Sequence, residues 1–155
     1  MKIRVANKSD AQIIFDLILE LATYEKLADE VCTSVETLEE WIFEKKKANV
    51  LIGEVDGKVV GYCLYFYNFS TFLGKAGIYI EDLYVRKAYR HNGYGKMFFK
   101  QIARIALEED CGRIDWSCLK WNTPSIDFYT SMGAIAQDEW VGFRLDSEAI
   151  KKIAK

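Results

Sequence analysis

Apolar residues recur along the chain with two different periods, and the changes between them predict the order of the secondary structure. Residues 2–5, in which basic and apolar residues alternate, predict a first strand. Two stretches with a period of three to four residues follow, and each predicts an amphipathic helix. The apolar stripes of these two helices are Ile13, Leu17 and Leu21, then Val35, Leu38 and Ile42.

Polar residues mark the ends of both helices. Ser9 with Gln12, and Thr33 with Glu36, have the spacing of a capping box, in which two side chains satisfy backbone N–H groups of the first turn. The three lysines at 45–47 suit the end of the second helix, where the helix dipole favours cations. We therefore expect the helices to begin just after Ser9 and Thr33.

The middle of the chain reads as three strands. Runs rich in Val, Ile, Tyr and Phe cover residues 50–55, 58–69 and 78–85, a composition typical of a central sheet that is covered on both faces. Asp56-Gly57 separates the first two runs and favours a tight hairpin turn, in which both central residues have positive φ. An antiparallel hairpin is therefore expected at this point.

The second half of the chain alternates helices with strands. A strong helix is predicted after Gly95 and is expected to end at Gly112, and residues 113–119 predict a strand. This arrangement adds a crossover connection to the preceding hairpins.

A further helix is predicted for residues 123–133, because Pro124 occupies a first-turn position that tolerates proline. Residues 135–145 then predict the last one or two strands. A short C-terminal helix follows, with Asp146 or Ser147 as its cap.

This order of elements, βααβββαβαβ(α), predicts an α/β (α+β) fold with a mixed, mostly antiparallel, twisted sheet of six to seven strands and helices on both faces. The chain has 155 residues, half of them hydrophobic, which is the size and composition of one packed domain. Its only proline, Pro124, lies in no linker. A single domain over residues 1–155 is expected.

The charge and the cysteines exclude several classes of function. The formal net charge is −2, whereas nucleic-acid-binding proteins usually carry a basic surplus. The four cysteines form no close pair and only one histidine, His91, is present, so no metal site is expected. The N-terminal residues lack the apolar run of a secretory signal, and no stretch approaches the roughly 20 apolar residues of a membrane span. A cytoplasmic protein is expected.

A pair of glycines at the start of the third predicted helix is the clearest sign of a ligand site. The glycines allow a tight turn, and the N–H groups at a helix N-terminus bind phosphate. A purely structural turn has the same pattern and stays open at this point. A dinucleotide-binding fold needs three glycines after the first strand of a βαβ unit, which this chain lacks. The segment reads Arg90-His91-Asn92-Gly93-Tyr94-Gly95-Lys96.

This segment and the strand before it resemble the acetyl-CoA loop of the GNAT superfamily of N-acetyltransferases. The shared pattern is Arg-x-x-Gly-x-Gly after a strand that ends in Asp-Leu-Tyr-Val. Longer runs resemble the spermidine/spermine (diamine) and thialysine acetyltransferase subfamily within it, with Gly133-Ala134 after them. These runs are Tyr79-Ile80-Glu81-Asp82-Leu83-Tyr84-Val85 and Trp121-Asn122-Thr123-Pro124-Ser125-Ile126-Asp127-Phe128-Tyr129.

The resemblance implies a GNAT-like fold and an enzyme that uses acetyl-CoA as co-substrate without a metal. It implies that the backbone of residues 83–85 pairs with the pantetheine arm and that the N–H groups of residues 91–96 hold the pyrophosphate. Residues 122–125 would touch the cofactor where two central strands splay apart. The implied cofactor-binding residues are Leu83, Tyr84, Val85, Arg90, His91, Asn92, Gly93, Tyr94, Gly95, Lys96, Asn122, Thr123, Pro124, Ser125 and Tyr129.

Acetyl transfer to an amine requires a base, because an alkyl ammonium has a pKa near ~10.4 and must lose a proton before it attacks. Glu81 is the candidate, since a carboxylate in an apolar strand is costly to bury without a purpose. A solvent-facing residue or a partner for Lys87 is the alternative interpretation. Tyr129 is the candidate acid for the departing thiolate, and ordinary core packing with a wet hydroxyl is its alternative.

The acceptor is predicted to be a small cationic amine. An acidic turn at the end of the first helix and an aromatic face can attract an ammonium group. A protein or peptide acceptor, and a catalytically silent CoA-binding protein, are the alternatives. The resemblance also implies a homodimer. The residues predicted to bind the acceptor are Tyr24, Glu25, Glu81, Asp82 and Trp140.

The loop before the Glu81 strand bears on which amine is bound. Ser70-Thr71-Phe72 resembles the thialysine branch, whereas polyamine-acetylating members have an aspartate followed by Pro-Trp. A serine offers a distal ammonium only a neutral hydrogen bond. A short diamine or a lysine-like amino acid such as thialysine is therefore expected to fit better than spermine.

Overall fold

A computed structural model describes residues 1–155, which divide into two compact units, Met1–Ser117 and Cys118–Lys155. The first unit carries every strand and three of the α-helices. Its elements are β1 (Lys2–Val5), α1 (Ala11–Tyr24), α2 (Val35–Leu38), β2 (Asn49–Val55), β3 (Lys58–Ser70), β4 (Lys75–Val85), α3 (Tyr94–Glu108) and β5 (Ile114–Trp116).

The five strands form one sheet in the order β1-β2-β3-β4-β5. The first four are antiparallel neighbours, and β5 runs parallel to β4. The predicted mixed, mostly antiparallel sheet is therefore confirmed, but the expected count of six to seven strands is wrong. The hairpin turn between β2 and β3 is confirmed as well, with φ of 49° at Asp56 and 74° at Gly57.

Helices cover both faces of this sheet, as the apolar composition of its strands predicts. On one face, Ile14 and Leu17 of α1 pack in one buried cluster with Ile52 and Tyr62, which sit opposite each other on β2 and β3. On the other face, Gly53 is so close to α3 that a Cβ there would lie 2.8 Å from the ring of Phe98. Successive strand residues point to opposite faces, so neighbouring residues of β2 separate the two helices.

The capping residues before the first two helices lie two residues and one residue away from the predicted ones. Asn7, not Ser9, accepts the backbone N–H bond, and Asp10 completes the capping box of a short 3₁₀ turn that leads into α1. Arg4 holds the Asp10 carboxylate with two bonds of 2.7 and 2.8 Å, so a contact to β1 fixes this start.

Ser34, not Thr33, caps α2 through a bond from the Thr37 N–H. The helix continues as a π-helical turn, Glu39–Glu44, and ends at Lys45, as the lysine run predicts. The side chains of Ile42 and Leu38 join the core cluster around α1.

Helix α3 ends earlier than the glycine signal predicts. Its last residue is Glu108, and Asp110 takes the left-handed conformation with φ of 53°. The Cys111 N–H bonds to the Ala106 carbonyl and the Asp110 N–H to that of Leu107, which is a Schellman motif. Gly112 lies beyond this motif and takes no part in ending the helix.

The second unit contains two helices, α4 (Thr123–Ser131) and α5 (Ser147–Ile153). Pro124 lies in the first turn of α4, and Gly133 follows its end with φ of 89°. Asp146 caps α5 by accepting a 2.8 Å bond from the Ala149 N–H. Residues 135–145 form no strand, which corrects the prediction and accounts for the smaller sheet. An extended segment with apolar side chains needs an edge to pair with, and the sequence pattern does not supply one.

Candidate active site

Strand β4 has one edge that is only partly paired. Along β3 it pairs over its whole length, from Lys75 to Val85, apart from one irregularity. Along β5 it pairs at three positions, Ile78, Ile80 and the residue between them. No strand lies beside residues 81–85 on that side, so this part of the β4 edge is open to an extended ligand that pairs as a strand does.

The open edge leads directly into the glycine loop. After a 3₁₀ turn, Lys87–Tyr89, the chain takes positive φ at His91 (63°) and Gly93 (75°), and Gly93 is the N-cap of α3. Asn92 fixes this path, because its amide donates to the carbonyls of Tyr89 and Arg90 at 3.1 and 3.0 Å.

No side chain caps the N-terminus of α3. A Cβ placed on Gly93 would meet no atom within 4 Å, so the space above this helix end is open. Uncapped first-turn N–H groups at the positive end of a 15-residue helix favour a phosphate ligand.

Arg90, the first residue of the motif, lies over the rings of two tyrosines. Its guanidinium carbon is 4.5 Å from the centroid of Tyr24 at the end of α1 and 5.5 Å from that of Tyr84 on β4. Its Nε also donates a 2.9 Å bond to the Val85 carbonyl. The Arg90 side chain therefore contacts both the end of α1 and the end of β4.

Two carboxyl groups of the first unit lie close enough to affect each other. Burial, and then the nearby Asp82, raise the pKa of Glu25 at the end of α1. Burial also raises the pKa of Asp82, against the lowering effect of a 2.7 Å hydrogen bond that the Tyr62 hydroxyl donates to it. Negative charge is therefore unfavourable at both carboxyl groups.

Glu81 differs from its predicted environment. The pairing passes from Leu64 opposite Asp82 to Tyr65 opposite Ile80, so Glu81 is the extra residue at a β-bulge. Its side chain is exposed, so the expected burial of Glu81 is wrong, whereas its neighbour Asp82 is half-buried. Asp82 lies on the same face of β4 as Tyr84, two residues further on, and Tyr84 is paired with Tyr62 across the strands.

Of the predicted site residues of the second unit, Asn122 to Ser125 lie at the start of α4, Tyr129 lies near its end and Trp140 lies beyond it. Asn122 is buried, and its carbonyl accepts bonds from the Ser125 and Ile126 N–H groups. Tyr129 is half-buried on α4, and the centroid of its ring lies 5.6 Å from the ring centroid of Phe128. Trp140 is 79% exposed and follows a turn, so its predicted position in a strand is wrong.

Three residues of the first unit that sequence reasoning missed belong to this arrangement. Tyr62 is the donor to Asp82, and Glu20 holds Arg86 through bonds of 2.8 to 3.2 Å. The partners are 20 and 66 residues apart, so no local pattern reveals them. The spacing of Glu20 and Tyr24, one helical turn apart on α1, is the only signal in the sequence.

The remaining candidate chemistry is simpler. All four cysteines are free thiols, and burial raises the pKa of Cys63. No three His, Cys, Asp or Glu side chains are grouped so that they could hold a metal ion. None of the helices is both long enough and apolar enough to cross a membrane.

Known proteins share both the sequence pattern and the fold. The chain is 38% identical to the thialysine N-epsilon-acetyltransferase of Bos taurus, over 98% of this chain and 96% of that protein. It is 40% identical to the L-ornithine N5-acetyltransferase of Arabidopsis thaliana, over 64% of this chain and 44% of that one. An integron cassette protein from V. cholerae superposes with a TM-score of 0.82 at 26% identity, covering 99% of this chain and 97% of that one.

These findings confirm the resemblance to the thialysine and spermidine/spermine acetyltransferase subfamily. The chain is also 32% identical to a spermidine/spermine N(1)-acetyltransferase-like protein of Homo sapiens, over 99% of this chain and 24% of that protein. The model of the acetyltransferase (GNAT) family matches residues 15–134. The match spans most of the chain, from α1 to the end of α4. The chain therefore belongs to the acetyltransferase (GNAT) family, and it is an N-acetyltransferase.

Proposed function

We propose that the enzyme transfers the acetyl group of acetyl-CoA directly to the terminal amine of a small, lysine-like amino acid or short diamine. The observation that carries this proposal is the continuity of the open β4 edge with the uncapped N-terminus of α3. An extended amide-bearing arm fits the first and a pyrophosphate fits the second. Both parts of acetyl-CoA therefore find partners along one stretch of chain.

The residues of this stretch have distinct roles toward acetyl-CoA. The backbone of Leu83, Tyr84 and Val85 binds the pantetheine amides along the open edge. The backbone N–H groups of residues 91–96 bind the pyrophosphate, for which the positive φ at His91 and Gly93 gives the required path. Bound acetyl-CoA supplies the acetyl group as a thioester. We assign Asn122, Thr123, Pro124 and Ser125 to the same ligand on the strength of the family motif alone.

Glu25 and Asp82 bind the cationic end of the acceptor. Their raised pKa values mean that the two carboxylates, once ionised, are under-compensated in the free protein. An ammonium group between them supplies the missing charge, and Tyr62 keeps Asp82 oriented through its hydrogen bond. Tyr24 and Trp140 are the aromatic residues assigned to the acceptor by the sequence.

Glu81 and Tyr129 are assigned the proton transfers. The exposed carboxylate of Glu81 at the bulge is suited to take the proton of the attacking ammonium through water. The hydroxyl of Tyr129 on α4 donates a proton to the departing thiolate. The Tyr129→Phe variant tests the second assignment.

The choice of a lysine-like acceptor has two supports. Thialysine and ornithine, which appear in the names of two relatives, are amino acids with an amine at the end of a short chain. Ser70 is buried, and its hydroxyl accepts the Leu73 N–H at 3.3 Å, which closes the hairpin between β3 and β4. A serine engaged in that turn supplies no counter-charge for the distal ammonium of a long polyamine.

We further propose that residues 1–155 act as one cytoplasmic acetyltransferase domain and that the enzyme is a homodimer. The family match runs from the first unit into the second. Residues 135–145 carry large exposed apolar side chains, including Val141 at 74% and Phe143 at 95%. A second copy of the chain is the occupant that would cover them.

The test is a thiol-release assay on a panel of amines after a thermal shift with acetyl-CoA. The panel contains thialysine, ornithine, lysine, putrescine, spermidine and spermine. We expect a stabilising shift and the highest kcat/KM with a short substrate. Spermine exceeding every short substrate tenfold would overturn the acceptor assignment. A shift without turnover of any amine or basic peptide would identify a silent CoA-binding protein, and turnover of peptides alone a protein acetyltransferase.

A further inference from the structure

We propose that Tyr24 is a positioning residue for the cofactor loop, which it holds through Arg90, so that α1 couples the acceptor end of the site to the cofactor end. The inference rests on the proposed function, because it concerns the acetyl-CoA site at the glycine loop. It assigns to Tyr24 a task distinct from contact with the amine.

The side chain of Arg90 lies against both Tyr24 and Tyr84, and we call this arrangement a clamp. The Arg90 guanidinium lies 4.5 Å from the centroid of Tyr24 and 5.5 Å from that of Tyr84. A guanidinium within about 6 Å of an aromatic face is held by the quadrupole of the ring. The Arg90 Nε bond to the Val85 carbonyl then ties the same side chain to the last residue of β4.

A second clamp lies one helical turn earlier on α1. Glu20 accepts bonds from the Nε and a terminal nitrogen of Arg86, at 3.0 and 2.8 Å. Arg86 also donates to the Val59 carbonyl at 2.8 Å. Residues 20 and 24 share one face of α1, and residues 86 and 90 bracket the 3₁₀ turn between β4 and the loop. The whole segment is thereby fastened to one helix.

The loop has few other side-chain anchors. His91 and Gly93 take positive φ. This conformation costs free energy for His91, and contacts with neighbouring residues must offset that cost. Asn92 bonds only to the loop's own carbonyls, so it shapes the loop without attaching it to the sheet. Arg90 is the residue of the motif that connects this shape to α1 and β4.

The clamp has a consequence for binding. Glu25, adjacent to Tyr24, is one of the two carboxylates assigned to the amine. A change at the end of α1 therefore reaches the pyrophosphate site through Tyr24 and Arg90, without any contact between the two ligands.

The experiment compares Tyr24→Leu with Tyr24→Phe by calorimetry of acetyl-CoA binding in the absence of any amine. Leucine removes the aromatic face, and phenylalanine keeps it. We expect about fivefold weaker acetyl-CoA binding for Tyr24→Leu, the scale of one partly exposed cation–π contact, and a change within about twofold for Tyr24→Phe. Because no amine is present, lost contacts to the acceptor cannot produce this result. Equal affinity for the two variants would overturn the proposal.

A double-mutant cycle tests the route through Arg90. In an Arg90→Gln background, Tyr24→Leu is expected to have no further effect on acetyl-CoA affinity, and additive effects would contradict the proposal. Tyr24→Met, which also lacks the aromatic face, is the second variant if Tyr24→Leu does not fold. Gly93→Val is measured alongside: if it leaves acetyl-CoA affinity unchanged, the loop assignment itself fails, whereas a weakened Gly93→Val with an unaffected Tyr24→Leu rejects the clamp alone.

Discussion

The hydroxyl of Tyr62 donates a 2.7 Å hydrogen bond to Oδ2 of Asp82, across two neighbouring strands of the sheet. Both side chains lie on the face that packs against α1. Burial raises the pKa of Asp82 in spite of this bond, and it raises the pKa of Tyr62 far above its usual value. The hydroxyl therefore stays protonated and remains a donor throughout the working range of pH.

Asp82→Asn is expected to stabilise the folded protein at pH 7 while it weakens amine binding. A carboxyl group with a raised folded-state pKa binds more protons when folded, so its contribution to stability falls as pH rises from its ordinary value of 3.8 through the raised one. Asparagine still accepts from Tyr62 and carries no charge. We expect a gain of about 1 kcal/mol at pH 7, a common size for single substitutions, that disappears below pH 4. Chemical denaturation across this range is the measurement, and Asp29→Asn, at an exposed carboxylate, is the control.

The KM for the amine is expected to fall as pH rises from 5 to 8. Glu25 and Asp82 must both be ionised to hold an ammonium group, and their raised pKa values move that ionisation toward neutral pH. Glu25→Gln removes one of the two titrations, so its profile is expected to be flatter and its KM higher at pH 8. A steep profile that survives both Glu25→Gln and Asp82→Asn would assign the pH dependence to other groups.

Gly93→Val is expected to weaken acetyl-CoA binding at least tenfold, because its side chain enters the open space above the N-terminus of α3 and disfavours φ of 75°. Calorimetry on folded protein is the measurement. Gly74→Val is the matched control, since Gly74 has φ of 64° and equally open surroundings in the β3–β4 hairpin. Equal losses of affinity in the two variants would attribute the effect to backbone strain.

Tyr129→Phe is expected to keep the fold and the acetyl-CoA affinity but to lower kcat by roughly 10²-fold, the usual scale for a general acid. Single-turnover kinetics ensure that the chemical step is measured. Tyr67→Phe, which removes a hydroxyl from β3, controls for the loss of a phenol elsewhere. A kcat within twofold of the wild type would remove Tyr129 from the mechanism.

Light scattering at micromolar concentration is expected to give twice the chain mass of 17.9 kDa. Phe143→Asp places a charge in the exposed apolar segment and is expected to shift the protein to monomer. Leu107→Asp makes the same change at an 82% exposed residue of α3 and is expected to leave the dimer intact. A clean monomer for the unaltered protein would refute the dimer.

Local chemistry accounts for what could be predicted about the fold from sequence. The two periods of apolar residues identify α1, α3 and the strands of the hairpins, because side-chain direction repeats with the backbone of each element. Asp56-Gly57 specifies its turn, and Gly93 specifies the left-handed start of α3, because positive φ is cheap for these residue types. The family motif then indicates a cofactor loop at the same place.

Strand pairing decides the features of the fold that the pattern of apolar residues leaves open. Residues 135–145 have the composition of strands, yet they form none, because a strand exists only where an edge bonds to its backbone. The bulge that leaves Glu81 without a partner is a property of the register between β3 and β4. Alternation along one strand cannot reveal where the register shifts.

The sequence by itself thus determined the class of fold and the position of the glycine loop, both of which depend on residues close together in the chain. The tertiary structure alone decided which carboxylate of β4 is exposed, which donor binds the other and which helix contacts Arg86 and Arg90. The contacts of Tyr62 with Asp82 and of Glu20 with Arg86 join residues 20 and 66 positions apart. Such contacts exist only after the sheet and α1 have packed, since packing fixes the distances on which hydrogen bonds and charge interactions depend.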